Sequence, residues 1–346
     1  MDRYTELAAL LKELNGVFAA PNFEYDMRAY LKKACAPYAD EIMEDAVGNI
    51  LVLRKGKKQT DRPVAVWNRL DEAAFMVRDV NSDGTFTFES MDGWVQGSVA
   101  AGKFLIIPRT GAKAVVPLRA IHMTPRSQRG SMPELESLFG ELGTDSAEEA
   151  KDLVEKGDLA FFDVPFTRLG ESGFSMRAPA VRAGVAIALR LLRDKPEVDT
   201  WFIFGTKGEL SPYFSAVTSG HRIEPRFALG FQPVDANDLP DVKEEDRTAC
   251  LRKGPMLGTN PRIDRTLSYL VRGEAQKLGV PFQTDAYFCP RILGAFKAVG
   301  AGITPFGIGI PERYQRSAFP IADLGDVANA ESLARIALRK GAALCD

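Results

Sequence analysis

Residues 181–194, VRAGVAIALRLLRD, run across a short charged connection into TWFIFGT at 200–206. The first stretch spaces its apolar residues as a helix does. The second is a short apolar run with aromatic and β-branched members, which reads as a buried strand. The same alternation continues downstream: RFALGFQPV (226–234) as a strand, PRIDRTLSYLVRGEAQKLG (261–279) as an amphipathic helix, ITPFGIGI (303–310) as a strand and VANAESLARIALRKG (327–341) as a closing helix. Apolar strands separated by helices imply an α/β fold, with a parallel or mixed sheet covered on both faces.

Upstream, residues 5–17 and 24–37 have helical spacing. EIMEDAVGNILVLRKG (41–56) forms a hairpin-like pair turning near Gly48-Asn49, and VAVWNRL (64–70) a buried strand. From Phe75 the texture changes. FMVRDV and TFTFES alternate on either side of an Asp83-Gly84 turn, a hairpin signal, and FLIIPRTGAKAVVPLRAIHM (104–123) repeats the idea around Gly111. Ser146 and Glu149 fit a capping box opening a helix inside this β-rich stretch. Residues 124–132 and 237–247 read as charged, solvated loops. Gly307-Ile308-Gly309 lies inside an apolar strand and lacks the spacing of a nucleotide loop.

Composition fits a globular chain: 346 residues, 45% hydrophobic, 26% charged, net charge −2. That balance gives no reason to expect nucleic acid or a membrane surface as partner. No apolar run is long enough for a bilayer. The opening Met1-Asp2-Arg3-Tyr4-Thr5-Glu6 lacks the apolar centre of a signal peptide. Cys35, Cys250, Cys289 and Cys345 form no paired spacing, so a reduced, cytoplasmic protein is expected. The histidines, His122 and His221, sit in no metal-ligand pattern and read as surface or structural residues.

In an α/β sheet, sites form where strands end. The strand ends supply Asn68-Arg69-Leu70-Asp71-Glu72, Lys207-Gly208-Glu209, Gly230-Phe231-Gln232 and Gln315-Arg316-Ser317. Ala180-Val181-Arg182-Ala183-Gly184 opens the helix near 182. With DAVGNILVLRKG, LDEAAFMV, Asp92-Gly93-Trp94, ELGTDSAEEAKDLVEKGD, LRKGP, PERYQRS and ADLGDVAN, in that order and spacing, the chain resembles the tetrahedral aminopeptidases. These are metallopeptidase family 42, some of whose members are labelled glutamyl aminopeptidases or endoglucanases.

The resemblance implies a three-layer aminopeptidase-like α/β domain with a mixed sheet (1–72 and 168–346), interrupted by a small β-barrel-like domain (73–167). It also implies two catalytic Zn or Co ions. In the family, a His-x-Asp-Glu segment supplies a ligand and an orienting aspartate, and an Asp-Asp-Arg-Ala-Gly segment a bridging aspartate. A Glu-Glu pair supplies base and ligand; a later Asp and a final His complete the set. Here the His positions are Arg69 and Arg316, the bridging position is Ala180, the base position Gly208 and the later Asp Gly230. Asp71, Glu72 and Glu209 remain. A guanidinium stays protonated and has no lone pair for a metal, so no metal cofactor is expected.

The resulting expectation is a catalytically inactive homologue, acting as a non-catalytic subunit of a homo-oligomer, or of a hetero-oligomer with an active paralogue, or as a peptide or small-anion binder. In that reading Arg69 and Arg316 stand in for the ions against retained carboxylates such as Asp71, Glu72 and Glu209, and define a pocket at the former active site. The alternative is an active aminopeptidase with altered or reduced metal dependence.

Overall fold

Strand β3 (Val64–Arg69) shows why the sheet is covered on both faces. Val64 and Val66 join one core cluster, while Ala65 and Trp67 join another. Side chains alternate across a strand, so both faces of β3 are apolar and need cover. The computed structural model describes residues 4–107, 110–207, 212–259, 263–288 and 293–343. They divide into two compact units, the first made of 1–72, 166–315 and 321–346, the second of 73–165 and 316–320.

In the first unit, β1 (Glu41–Glu44) and β2 (Ile50–Arg54) make the antiparallel pair expected at Gly48-Asn49. They join β3, β11 (Thr200–Gly205), β12 (Phe227–Asp235), β13 (Met256–Gly258), β14 (Gln283–Asp285) and β15 (Thr304–Glu312) in one mixed sheet, ordered β1-β2-β11-β3-β12-β15-β13-β14. The centre is parallel: β3 pairs with β11 and β12, and β12 with β15. A small antiparallel sheet adds β9 (Thr167–Leu169), β10 (Gly173–Ser175) and β16 (Ile321–Asp323).

One face carries α1 (Thr5–Asn15), α2 (Tyr25–Cys35), α5 (Pro179–Leu192), α7 (Arg265–Lys277) and α9 (Leu324–Ala342). Helix α5 is buried along its length apart from Arg190. Gly184 allows this close seat, because a Cβ there would fall 2.1 Å from Asn68 Oδ1 on β3. The other face carries α6 (Pro212–Ile223) and α8 (Leu293–Phe296), whose Ala216 and Phe296 meet Trp67 and Ile203. Asp323 caps α9, accepting from the amides of Gly325 and Asp326. Asp326 in turn accepts from the Arg252 and Gly254 amides at 2.7 and 2.8 Å. That contact joins the LRKGP and ADLGDVAN segments. No helix among the described residues is long and apolar enough to cross a membrane.

The second unit is a five-stranded antiparallel sheet, ordered β5-β4-β8-β6-β7. Its strands are β4 (Phe75–Val80), β5 (Phe86–Ser90), β6 (Lys103–Ile107), β7 (Lys113–Val115) and β8 (Leu159–Phe162), with α3 (Gln96–Val99) and α4 (Ala147–Leu153) between them. Ser146 caps α4 by accepting the Glu149 amide, as the capping-box reading expected. Its core is aromatic: Phe75 lies 4.9 Å from Phe104 and 5.1 Å from Trp94, centroid to centroid. The edge strands share a neighbour. Phe86 of β5 exchanges backbone hydrogen bonds with Gly140, and Val115 of β7 with Glu141.

Gly140 lies against the Phe86 ring, where an added Cβ would stand 2.1 Å from the ring tip. Gly140→Ala should therefore lower the stability of this unit by about 1–3 kcal/mol through overpacking. Amide exchange at Phe86 and Gly140 reads the change directly; exchange as slow as in the parent would refute the packing argument.

Candidate functional site

Parallel strands β3, β11, β12 and β15 point their C-terminal ends the same way, and the N-terminus of α5 arrives at that edge. In register, Arg69 sits beside Gly205, Gly230 beside Trp67 and Gly307, and Glu312 beside Asp235. At the N-terminus of α5, the Ala180 amide donates to Glu312 Oε2 at 3.0 Å. Glu312 is 4% exposed. Burial pushes its carboxyl up to about 7; the Ala180 amide, the Arg69 cation and Gln315 pull the other way, and Asp235 adds to the rise. Glu312 is the site residue that sequence reasoning missed. Its signal was a glutamate closing an apolar strand, one residue past Pro311, inside a segment already singled out for Arg316.

The carboxylates retained in the sequence have separate surroundings. Glu72, 2% exposed, is held by buried arginines. Arg182 Nη2 lies 2.5 Å from Glu72 Oε1, and Arg177 Nε 3.1 Å from Oε2. Arg182 also donates to the carbonyls of Leu70 and Val17, at 2.7 and 3.2 Å. The Arg177 amide donates to Asn15 Oδ1, and its guanidinium lies 4.1 Å from the centre of the Phe18 ring. This triad ties the end of β3 to the segment after α1. An arginine within the apolar run VRAGVAIAL was its signal in the sequence.

Asp71 is fully buried, and its charge acts on Glu24, itself 2% exposed. Burial raises the Glu24 carboxyl, the Lys207 amide hydrogen bond lowers it, and Asp71 raises it again. Gly208 and Glu209 lie outside the described residues.

Arg69 and Arg316 differ in setting. Arg69 ends β3 in the α/β unit. Arg316 belongs to the second unit, with a left-handed backbone (φ +64°) and its guanidinium donating to Asp92. Its carbonyl accepts the Val95 amide at 2.9 Å. The structure gives Arg316 the Asp92 carboxylate as a partner, from the Asp92-Gly93-Trp94 stretch.

Among the described residues, the donors at these strand ends do not fit two metal ions. A zinc centre needs three or four N, O or S donors. The described positions offer Arg69, Ala180 and Gly230, and the Ala180 amide is engaged by Glu312. Among the described residues no group of three or more His, Cys, Asp or Glu could hold a metal. His122 and His221 are exposed, and Cys35 and Cys250 are free thiols.

A mixed, helix-covered sheet with an inserted β-unit and its candidate site at the strand ends defines an aminopeptidase-like α/β protein. A family model described as M42 glutamyl aminopeptidase matches residues 48–333, and the chain belongs to that family. It is 28% identical over 356 residues to a glutamyl aminopeptidase of Lactococcus lactis, covering 95% of each chain. Among solved structures, a TET aminopeptidase from a marine-sediment thaumarchaeon superposes with a TM-score of 0.89 at 22% identity, covering 98% of this chain and 99% of that one. The TET1 peptidase of Pyrococcus horikoshii, described as assembling into a tetrahedron or a large octahedral shell, gives 0.80 at 20% identity, covering 95% and 98%.

Proposed function

We propose that this chain is a catalytically inactive member of the M42 family, serving as a non-catalytic subunit of an oligomer or as a peptide or small-anion binder in the cytoplasm. The observation that carries the reading is the Ala180 amide bound to Glu312 at 3.0 Å, with the Arg69 cation acting on the same carboxyl. A backbone donor and an internal glutamate occupy the position where the family has a bridging aspartate. A divalent ion about 4 Å from one guanidinium meets a repulsion of roughly 8 kcal/mol at an effective dielectric of about 20. Without a metal, water keeps its ordinary high pKa instead of falling to about 7. Glycine at the base position 208 removes a further factor of roughly 10²–10⁴.

Asp71 keeps the place of the orienting aspartate but has no metal-bound group to orient. Within the α/β unit, Arg69, Glu72 and Glu209 mark the former active-site pocket in this reading. The insert completes this picture as a small barrel-like domain, closed through Gly140 and Glu141. The likeness to TET peptidases supports assembly into a homo-oligomer, or with an active paralogue.

The test is elemental analysis of the purified protein, with light scattering and an aminoacyl-substrate panel. The expected result is substoichiometric metal, no aminoacyl hydrolysis and a mass of several chains. Stoichiometric Zn or Co together with hydrolysis would establish the alternative, an active aminopeptidase with altered or reduced metal dependence.

A further inference from the structure

Helix α7 borders a cavity of about 400 Å³, lined among others by Thr259, Arg265, Thr266, Ser268, Tyr269 and Arg272. It lies away from the candidate site. Leu257, one residue before the end of β13, pairs with Ile308, four residues before Glu312 on β15. Four residues of strand span about 13 Å.

Three properties of this cavity point to an anion. Arg265 and Arg272 are seven residues apart, so they share one helix face about 10.5 Å apart along the axis. Both long side chains reach the same space. Next, Arg272 Nε is buried and has no hydrogen-bond partner among the described residues. A buried donor left unsatisfied costs about 1–3 kcal/mol, and a guanidinium that turned its Nε and Nη toward an oxyanion in the cavity would recover it in the forked geometry it favours. Finally, the nearby acids are engaged elsewhere. Asp264 caps α7 through the Leu267 amide at 2.8 Å, Glu274 lies 3.4 Å from Lys340, and Asp285 Oδ1 accepts the Tyr287 amide. The Asp264 carboxylate also disfavours an anion at the helix N-terminus itself, which places the ligand charge nearer Arg272.

Two guanidiniums suit a dianion better than a carboxylate. The cavity volume exceeds that of a bare phosphate and falls in the range of small-molecule sites. Tyr269, 77% exposed, stands between the arginines on the same face and offers a ring to the ligand body. We propose that this face of α7 binds a small phosphate monoester with a ring-sized body.

Calorimetric titration of the full chain with phenyl phosphate, inorganic phosphate and benzoate tests this. Phenyl phosphate should bind once per chain, with benzoate at least about tenfold weaker and inorganic phosphate weaker than the ester. Arg272→Gln should weaken phenyl phosphate about tenfold or more. Arg272→Lys should not restore it, because an ammonium lacks the fork. Lys277→Gln, a charge change on the same helix outside the cavity lining, should leave it unchanged. If Arg272→Gln does not fold, Arg265→Gln, at an exposed position, carries the same expectation. Absence of phenyl phosphate binding, equal binding of benzoate, tighter binding of inorganic phosphate, or an equal loss in Lys277→Gln would each overturn the proposal.

Discussion

Replacing Arg182 with alanine should lower the unfolding free energy by about 3–5 kcal/mol, the cost of leaving a buried charge without its partner. Arg182 is 0% exposed and Glu72 2% exposed, so solvent cannot take over the lost contact. The loss extends beyond the ion pair, because the carbonyls of Leu70 and Val17 lose their donor as well. Arg177 remains on Glu72 Oε2 and keeps the effect from being larger. Urea unfolding at neutral pH measures the change. Adding Glu72→Gln to the alanine variant should return part of the loss, since it removes the stranded charge; the difference from additivity gives the coupling. A loss under about 1 kcal/mol in the single variant would show that the triad does not hold the end of β3.

Glu312→Gln should have the opposite sign and a pH dependence. The folded carboxyl is pushed from its ordinary 4.5 up to about 7, with burial as the main cause. A raised folded pKa means that folding favours the protonated form. The stability this contributes is fully present below about 4.5 and is lost as pH rises through about 7. A shift of this size corresponds to roughly 3 kcal/mol. Glutamine is neutral throughout and can still accept the Ala180 amide. The variant should therefore match the parent at pH 4 and exceed it at pH 8.5 by up to roughly 3 kcal/mol. Parallel denaturant titrations at the two pH values measure the gap; a constant difference would mean that Glu312 does not carry the titration. Arg69→Ala acts through the same group. Losing the cation that pulls Glu312 down should push its carboxyl higher and extend the fall in stability to higher pH.

The main elements could be read from local pattern because their faces are unmixed. The run TWFIFG alternates between two apolar clusters, and VRAGVAIALRLL buries nearly every residue. The hairpins at Gly48-Asn49 and Asp83-Gly84 were legible from turn chemistry alone. The helix at Ser146 was legible from its cap. The candidate site was harder, because its charges find partners far away in the sequence. Glu72 is held from positions 177 and 182, Arg316 by Asp92, and Glu312 by the amide of Ala180. Sequence position gave the ends of the strands but not which carboxylate meets which cation. Arg182 in particular reads as a helix residue until the fold brings Leu70, Glu72 and Val17 around its guanidinium.

The central place of β3 has a consequence for synthesis. Val64 pairs with Thr200 on one side and Phe227 on the other, so neither neighbour exists when β3 leaves the ribosome. At about 5–20 residues per second, the wait for β11 is on the order of ten seconds. Residues 73–165 of the second unit emerge in that interval and can collapse around their own aromatic rings, while VAVW stays apolar on both faces and unpaired. The nascent chain therefore carries an open strand edge until Thr200 and then Phe227 arrive.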